Sequence, residues 1–295
     1  AVNHCSLDYV GFFGRDRNYH IPERHLGLHM GSEDPIGPDG LTHLVTAVEQ
    51  DLDLDAIAAL SPVGCADTGV AAPWQTQAAA GEQNRTYRLG LALDEAFCFY
   101  YPQNLELFEH RGFEIVRFSP LHDTMLPDGL DMLYFGGGYP ESYGSELSRN
   151  RRMREEIVKA HHHDLPIYAE CGGFMYLCRT LKDMDGGVHQ MVGIFPFDTV
   201  MNHRLRKLGY RQAKLLKDCI LGARGTQVKG HEFHYSDIEI DDKEPEKLRK
   251  YEHLYSLDNN SHEGYSVGSA LGSYVHLHFG DSVSVIDHIY KNLQK

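Results

Sequence analysis

The sequence predicts an α/β fold in which a mostly parallel sheet carries helices on both faces. From residue 87 onward, short apolar runs alternate with stretches of helical spacing, which is the pattern of strands joined by crossover helices. The apolar run at 166–169 passes directly into Glu-Cys-Gly-Gly and then into an apolar helical stretch. This strand-to-helix turn is typical of a nucleophile elbow, which exposes a side chain at the carboxyl end of a sheet.

The predicted elements follow one another in the order that such a sheet requires. The expected strands are short and apolar, at 89–93, 113–118, 132–135, 166–169 and 274–279. The expected helices lie between them, at 102–112, 146–162 and 172–181. Pro102 suits the first turn of its helix, because that position needs no backbone N–H donor.

Composition divides the chain into three parts. Residues 1–60 include a stretch of helical spacing at 41–60 but are too few to form a sizeable core alone. Residues 61–85 are rich in Ala, Gly, Thr and Gln without periodicity, which predicts a linker, and residues 86–295 form the main domain. Because the chain begins at Ala1 without an initiator methionine, we expect it to be a piece of a longer protein.

Charge and cysteine usage exclude several classes of protein. The 295 residues include 42 acidic and 28 basic side chains, a formal charge of −14, which argues against a nucleic-acid partner. No run approaches the roughly 18 apolar residues of a membrane helix. The six cysteines are scattered, with no C-x-x-C pair, so we expect reduced thiols and a cytoplasmic location.

Cys171 is the candidate nucleophile. Gly172 and Gly173 follow it, and their lack of a side chain permits the close packing that the turn demands. We expect the start of the following helix to lower the pKa of the thiol, and the Gly172 amide to point at a developing oxyanion. The alternative is a structural thiol, since free cysteines are commonly buried.

The nineteen histidines include the base that a thiol nucleophile needs. His276 and His278 share one face of the strand predicted at 274–279, and catalytic side chains meet at strand ends in such folds, so we favour His276. His231 and His234 have a spacing that resembles a metal site, but they lack a helix and further ligands. We therefore predict no metal.

A glycine run at 136–138 follows the strand predicted at 132–135. Its consecutive backbone amides suit a carboxylate, a phosphate or an oxyanion, whereas the alternative is a tight turn that uses glycine for conformation alone. It is not a P-loop, because neither Gly-Lys-Ser nor Gly-Lys-Thr occurs anywhere in the chain.

Six segments together resemble the glutamine amidotransferase domain of the cobyrinic acid a,c-diamide synthase family. In chain order they are IPERHLGL at 21–28, FCFYYPQNLEL at 97–107, GGGYPE at 136–141, YAECGGFMYL at 168–177, GHEFHYS at 230–236 and SYVHLHF at 273–279. Six matches in order are more specific than any one of them, and the resemblance covers most of the chain.

The resemblance implies a class I glutamine amidotransferase-like fold and a role for each matching residue. Cys171 would attack the side-chain amide of glutamine, and His276 would activate the thiol and protonate the departing ammonia. The oxyanion hole and glutamine-binding amides would come from Gly137, Gly138 and Gly172.

Some positions of the resemblance carry no role. Most class I amidotransferases have a glutamate two residues after the histidine, but this chain has His278 there, which leaves open what orients His276. His231, Glu232 and His234 match a family motif whose role we leave unassigned.

The resemblance also implies partners. In that family, ammonia passes to an N-terminal P-loop-type synthetase domain or subunit, where ATP and Mg²⁺ activate the a and c acetates of cobyrinic acid during cobalamin biosynthesis. Residues 1–60 resemble the end of that domain, and the chain lacks the ATP-binding loop. We therefore expect glutamine and cobyrinic acid or a related tetrapyrrole as substrates of the whole ligase, and no cofactor bound by this chain. We expect no nucleic-acid or membrane partner, and a homodimer is left open.

Three other functions stay open at this point. The a,c-diamide synthases of a nickel sirohydrochlorin resemble the same segments. A non-catalytic partner subunit could use the same fold, although the presence of both Cys171 and His276 disfavours it. An independent cysteine hydrolase is disfavoured by the six ordered segments.

Overall fold

The computed structural model describes residues 8–15, 18, 20–21, 36–60, 85–239, 253–258, 261–282 and 284–294. The chain divides into two compact units, Ala1–Val70 and Ala71–Lys295. The predicted linker at 61–85 lies outside the described residues apart from Arg85, and so do residues 22–28 of the first resembling segment. The domain boundary stays a prediction.

The first unit contains two helices, α1 (Gly37–Asp51) and α2 (Leu54–Leu60). They confirm the helical spacing of residues 41–60 and divide it at Leu52. Gly11 forms an isolated antiparallel bridge with Leu52, where α1 has ended.

The second unit contains the strands, numbered here in chain order. They are β1 (Tyr87–Ala92), β2 (Phe97–Phe99), β3 (Phe113–Phe118), β4 (Met132–Phe135), β5 (Gly137–Gly138), β6 (Ile167–Glu170), β7 (Cys178–Lys182), β8 (Val188–Gln190), β9 (Phe195–Met201), β10 (Lys207–Leu215), β11 (Gln227–His234), β12 (Ser236–Glu239), β13 (Tyr255–Leu257), β14 (His262–Glu263), β15 (Tyr265–Val267), β16 (Ala270–Ser273) and β17 (Val275–His278). The helices are α3 (Pro102–His110), α4 (Gly144–Arg149), α5 (Arg151–His162), α6 (Gly172–Leu177) and α7 (Ser284–Asn292), with 3₁₀ helices at Pro140–Tyr143 and Phe279–Asp281. None of the described helices is both long enough and apolar enough to cross a bilayer.

The central sheet has the strand order β15-β16-β6-β4-β1-β3. Neighbouring strands are parallel throughout except for the edge strand β15, which runs antiparallel to β16. Strands β4 and β6 are buried along their whole length, as expected for a sheet covered on both faces. The predicted α/β fold with a mostly parallel sheet and helices is confirmed.

A second, antiparallel sheet has the order β14-β13-β10-β11-β17. The strand predicted at 274–279 is found as β17. The sequence did not predict that the chain changes sheets at Tyr274, where β16 ends the parallel sheet and β17 begins the antiparallel one. The alternating apolar pattern does not reveal this change, because both strands are buried. The change brings His276, on β17, to the carboxyl end of β6.

Two predicted helices are wrong in their extent. The helix expected at 146–162 is broken at Asn150, whose side chain accepts a hydrogen bond from the backbone N–H of Met153 at 3.3 Å and so caps α5. The helix expected at 172–181 ends at Leu177, and β7 follows at once, paired with β8 and β9. A short apolar run is compatible with a buried helix or with a buried strand. Here the pairing with β8 and β9 determines that residues 178–182 form a strand.

Asn104 of α3 fixes the position of β17. Its side chain is fully buried, donates a hydrogen bond to the carbonyl of Leu277 at 2.7 Å and accepts one from the N–H of Phe279 at 2.8 Å. The strand β17 is at the edge of its sheet, so these bonds replace those that a neighbouring strand would make. Asn104 therefore ties the end of the antiparallel sheet to the helix that follows β2.

We expect Asn104→Ala to lower the free energy of unfolding by about 2–4 kcal/mol, because it leaves the carbonyl of Leu277 and the N–H of Phe279 without this partner. Urea denaturation followed by circular dichroism measures the change. Glu106→Ala, at an exposed position of the same helix, is the control and should change stability by less than about 0.5 kcal/mol. Equal losses in the two variants would contradict the assigned role of Asn104.

Candidate active site

The turn between β6 and α6 holds Cys171 in a strained backbone conformation. Its φ is +45°, and among the described residues only Asp164 and Cys171 combine a positive φ with a side chain. The N–H of Cys171 donates to the carbonyl of Ser273 at 2.7 Å, and its own carbonyl accepts from Met175 at 2.9 Å. These two bonds hold the conformation expected of a nucleophile elbow.

The environment of the Cys171 thiol differs from the expectation in one respect. Burial, with the negative charge of Glu141, raises the pKa of the thiol to about 12, although the Gly172 amide opposes the shift. The amide at the helix start lowers this pKa as expected, but desolvation outweighs it, so the net shift is upward. The thiol donates to the carbonyl of Phe233 at 3.8 Å and is neutral at pH 7, so it needs a nearby base to become a nucleophile.

The three predicted oxyanion-hole glycines lie together around this turn. A Cβ on Gly172 would come within 2.8 Å of the Pro140 ring and 2.9 Å of the Gly138 nitrogen. A Cβ on Gly137 would collide with the Cε1 atom of His276. Strand β5 thus runs between the elbow and the imidazole, and only glycine permits both approaches.

His276 is buried, with 7% of its surface exposed. Burial, together with the charges that His231 and His234 can carry, lowers the pKa of its imidazole to about 3. The ring is therefore neutral at pH 7 and has a free lone pair, as a general base requires. Strand β11 links the two candidate residues, because His231 pairs with His276 across the sheet and the Phe233 carbonyl faces Cys171.

The motif at 230–236 is divided between the two faces of β11. The His231 ring stacks on His276, with centroids 5.3 Å apart, and is half-buried. Glu232 and His234 point to the buried face, where the Glu232 carboxylate accepts from Arg211 at 2.7 Å and lies 3.5 Å from the His234 ring. The structure thus brings His231 to the candidate site and places Glu232 and His234 in a polar network with Arg211.

His278 occupies the position that holds a glutamate in most class I amidotransferases, but it makes other contacts. Its Nδ1 accepts a hydrogen bond from the N–H of Gly280 at 3.2 Å, and its ring packs edge-on against Tyr101. These contacts lie at the end of β17 and do not involve the Cys171 thiol.

Sequence reasoning missed Glu170, the last residue of β6. Its carboxylate is 1% exposed, and its Oε2 lies 4.0 Å from Nδ1 of His276. Burial raises the pKa of this carboxyl to about 7, although hydrogen bonds oppose the shift. An acidic residue ending an otherwise apolar strand, directly before the candidate nucleophile, is the signal that could have identified it. Asn104 carries no comparable signal, since an asparagine on a helix is ordinary.

No three His, Cys, Asp or Glu side chains of the described segments are grouped as they would be around a metal ion. The candidate site presents the Cys171 thiol, the His276 imidazole, the buried Glu170 carboxyl and backbone amides. These groups suit nucleophilic attack on a carbonyl carbon followed by proton transfer to the leaving group.

Residues 88–283 match the family of CobB/CobQ-like glutamine amidotransferase domains. The chain belongs to this family. The matched region contains every residue of the candidate site, from the glycines of β5 to His276.

Curated relatives cover nearly the whole chain. It is 39% identical over 289 residues to the cobyrinate a,c-diamide synthase of Salmonella typhimurium, and 41% identical over 266 residues to that of Syntrophotalea carbinolica. These alignments span 98% and 90% of this chain but only 62% and 57% of the relatives. The chain therefore covers about three-fifths of the length of the relatives that it matches.

Among solved structures, a chain in the structure of PurLQS from Thermotoga maritima has the same fold. The superposition has a TM-score of 0.50 at 16% identity and covers 71% of this chain and all of the other. At this identity the likeness concerns the fold alone. The fold of this chain is class I glutamine amidotransferase-like, with a mostly parallel sheet.

We expect His276 to stay neutral from pH 8 down to pH 5, because burial opposes the charged imidazolium. Its ring signals in a histidine NMR titration should not move over this range. The exposed His122, whose pKa is raised by its hydrogen bond to Glu95, should titrate above pH 6.5 in the same spectra. A His276 signal that titrates near pH 6.5, as a free imidazole does, would contradict this environment.

Proposed function

We propose that this chain hydrolyses glutamine and is the glutaminase part of a cobyrinate a,c-diamide synthase. The observation that carries the proposal is that strand β5 contacts both candidate groups: Gly138 lies against Gly172 of the Cys171 turn, and Gly137 lies against the His276 ring. Membership of the glutamine amidotransferase family supplies the reaction class. The names of the curated relatives support cobyrinate over a nickel sirohydrochlorin as the substrate of the whole enzyme.

The first chemical step is a proton transfer followed by attack. His276 takes the proton of the Cys171 thiol, and the thiolate adds to the side-chain amide carbon of glutamine. Since the thiol and the imidazole are both neutral beforehand, the transfer creates a thiolate–imidazolium pair within a buried site. Because the thiol holds its proton more tightly than the imidazolium does, this pair is a high-energy species. It can form only while the two groups are close together, because an isolated buried charge is costly.

The tetrahedral intermediate carries a negative oxygen. Gly138 packs against Gly172, and the backbone amides of these two glycines are the donors that we assign to this oxygen, with Gly137 leaving space for the imidazole. Collapse of the intermediate breaks the C–N bond, and the proton on His276 leaves with the nitrogen as ammonia. Water then hydrolyses the thioester, which releases glutamate and restores the thiol.

In the whole enzyme, ammonia would serve an ATP-dependent ligase reaction. We propose that the part of the relatives outside the aligned region corresponds to a synthetase domain or subunit. There, ATP and Mg²⁺ would activate the a and c acetates of cobyrinic acid as acyl phosphates, and ammonia would displace phosphate. We propose a cytoplasmic location, because the cysteines of the sequence are scattered and include no C-x-x-C pair.

We expect Cys171→Ala to reduce ammonia release from glutamine by more than about 10³-fold, because no other group supplies the covalent step. A coupled glutamate dehydrogenase assay measures the glutamate formed. Cys178→Ala is the matched control, since Cys178 is also a buried free thiol but begins β7 on the far side of α6.

Two results would contradict the proposal. A wild-type chain that releases no ammonia, alone or with its synthetase partner, would refute glutamine hydrolysis. Equal rates for the wild type and Cys171→Ala would refute the nucleophile.

A further inference from the structure

The buried carboxylate of Glu170 is held by three donors. Oε1 accepts hydrogen bonds from the Tyr168 hydroxyl at 2.6 Å and from the backbone N–H of Leu277 at 2.9 Å. Oε2 accepts from the Tyr134 hydroxyl at 2.9 Å. A carboxylate with this many donors can be ionised inside a protein, since each bond stabilises the anion.

The same carboxylate faces His276 through its second oxygen. Oε2 lies 4.0 Å from Nδ1 of the imidazole, and the backbone bond from Leu277 ties Glu170 to the residue next to His276. A contraction of about 1 Å would make this a hydrogen bond, and such bonds are commonly long in sites without substrate. With Nδ1 directed at Glu170, Nε2 is the nitrogen left for the thiol.

The other nearby candidates have different partners. Glu263 accepts from the Ser273 hydroxyl and, at 3.0 Å, from the N–H of Tyr274. Glu232 is paired with Arg211, and His278 holds no negative charge at any pH. Among the carboxylates in the described part of the chain, Glu170 is the one recorded within 4.0 Å of His276.

We propose that Glu170 is the positioning residue of His276: its carboxylate binds the Nδ1–H and balances the imidazolium that forms when Cys171 loses its proton. This inference rests on the proposed function. Glu170, which directly precedes Cys171, thereby takes the role that most class I amidotransferases give to a glutamate at the position of His278. No atoms are exchanged with Glu170, which keeps its charge while the proton moves from Sγ to Nε2 and on to ammonia.

The protonation of Glu170 offers a readout of this role. Burial raises its pKa to about 7, so the fraction of anionic Glu170 grows as the pH rises through 7. The titratable groups that face Glu170 do not change charge near pH 7. Burial raises the pKa values of the tyrosines and of the thiol, and it lowers that of His276. These groups are Tyr100, Tyr101, Tyr134, Tyr168, Tyr255, Cys171 and His276. The kcat of glutamine hydrolysis should therefore rise with pH along a limb centred near 7.

Glu170→Gln is the direct test, because glutamine keeps the shape and an acceptor oxygen but not the charge. We expect kcat to fall by about 10²–10⁴-fold with KM for glutamine changed less than about threefold, and the limb near pH 7 to disappear. Glu263→Gln is the matched control: burial also raises the pKa of Glu263 to about 7, but its partners are Ser273 and Tyr274. This control should keep both the rate, within about threefold, and the limb.

A second variant keeps the test valid if Glu170→Gln does not fold. Tyr134→Phe removes one donor to the anion, so the limb should move to higher pH by about half a unit or more. An unmoved limb in Tyr134→Phe, or full kcat in a folded Glu170→Gln protein, would overturn the inference. If the wild type is active, either result overturns only the role of Glu170 and not the proposal that the chain hydrolyses glutamine. An inactive wild type refutes the proposed function itself.

Discussion

The left-handed backbone at Cys171 is the constraint on which the rest of the site depends. A side chain at φ +45° is costly, and it persists because the elbow is bonded on both sides, to the end of β16 and to the first turn of α6. The second glycine after the cysteine packs against the carbonyls of Phe135 and Gly136 and donates to the latter at 2.9 Å. The turn therefore depends on β16, on α6 and on the end of β4, and not on its own sequence alone.

Burial organises the electrostatics of the site. The same removal of water raises the pKa of the thiol and of the Glu170 carboxyl and lowers that of His276, so the resting site has few charges to stabilise. A proton transfer within such a site creates its charges side by side, where each stabilises the other more than in water. In the proposed mechanism, this is how a thiol with a raised pKa serves as a nucleophile, because the imidazole proposed as its base is also buried.

The two sheets have different tasks. The parallel sheet provides the elbow, and the antiparallel sheet provides His276 and the carbonyl that faces the thiol. Because the chain crosses between them at Tyr274, the connection is a single residue. Asn104 and Glu170 both bond to β17, so side chains of the parallel half hold the edge of the antiparallel half.

Several features were predictable from the sequence, because they depend on local pattern. The strands at 113–118 and 132–135, the start of α3 at Pro102 and the Cys-Gly-Gly turn follow from apolar runs and from residues with special backbone preferences. The family followed from six short segments in order. The extent of α6 and the presence of β16 directly before β17 were not predictable, since buried helix and buried strand share the same apolar composition. Tertiary structure alone decided the pKa values and the pairing of Glu170 with His276, because both depend on how much water and which charges lie within a few ångströms of each group.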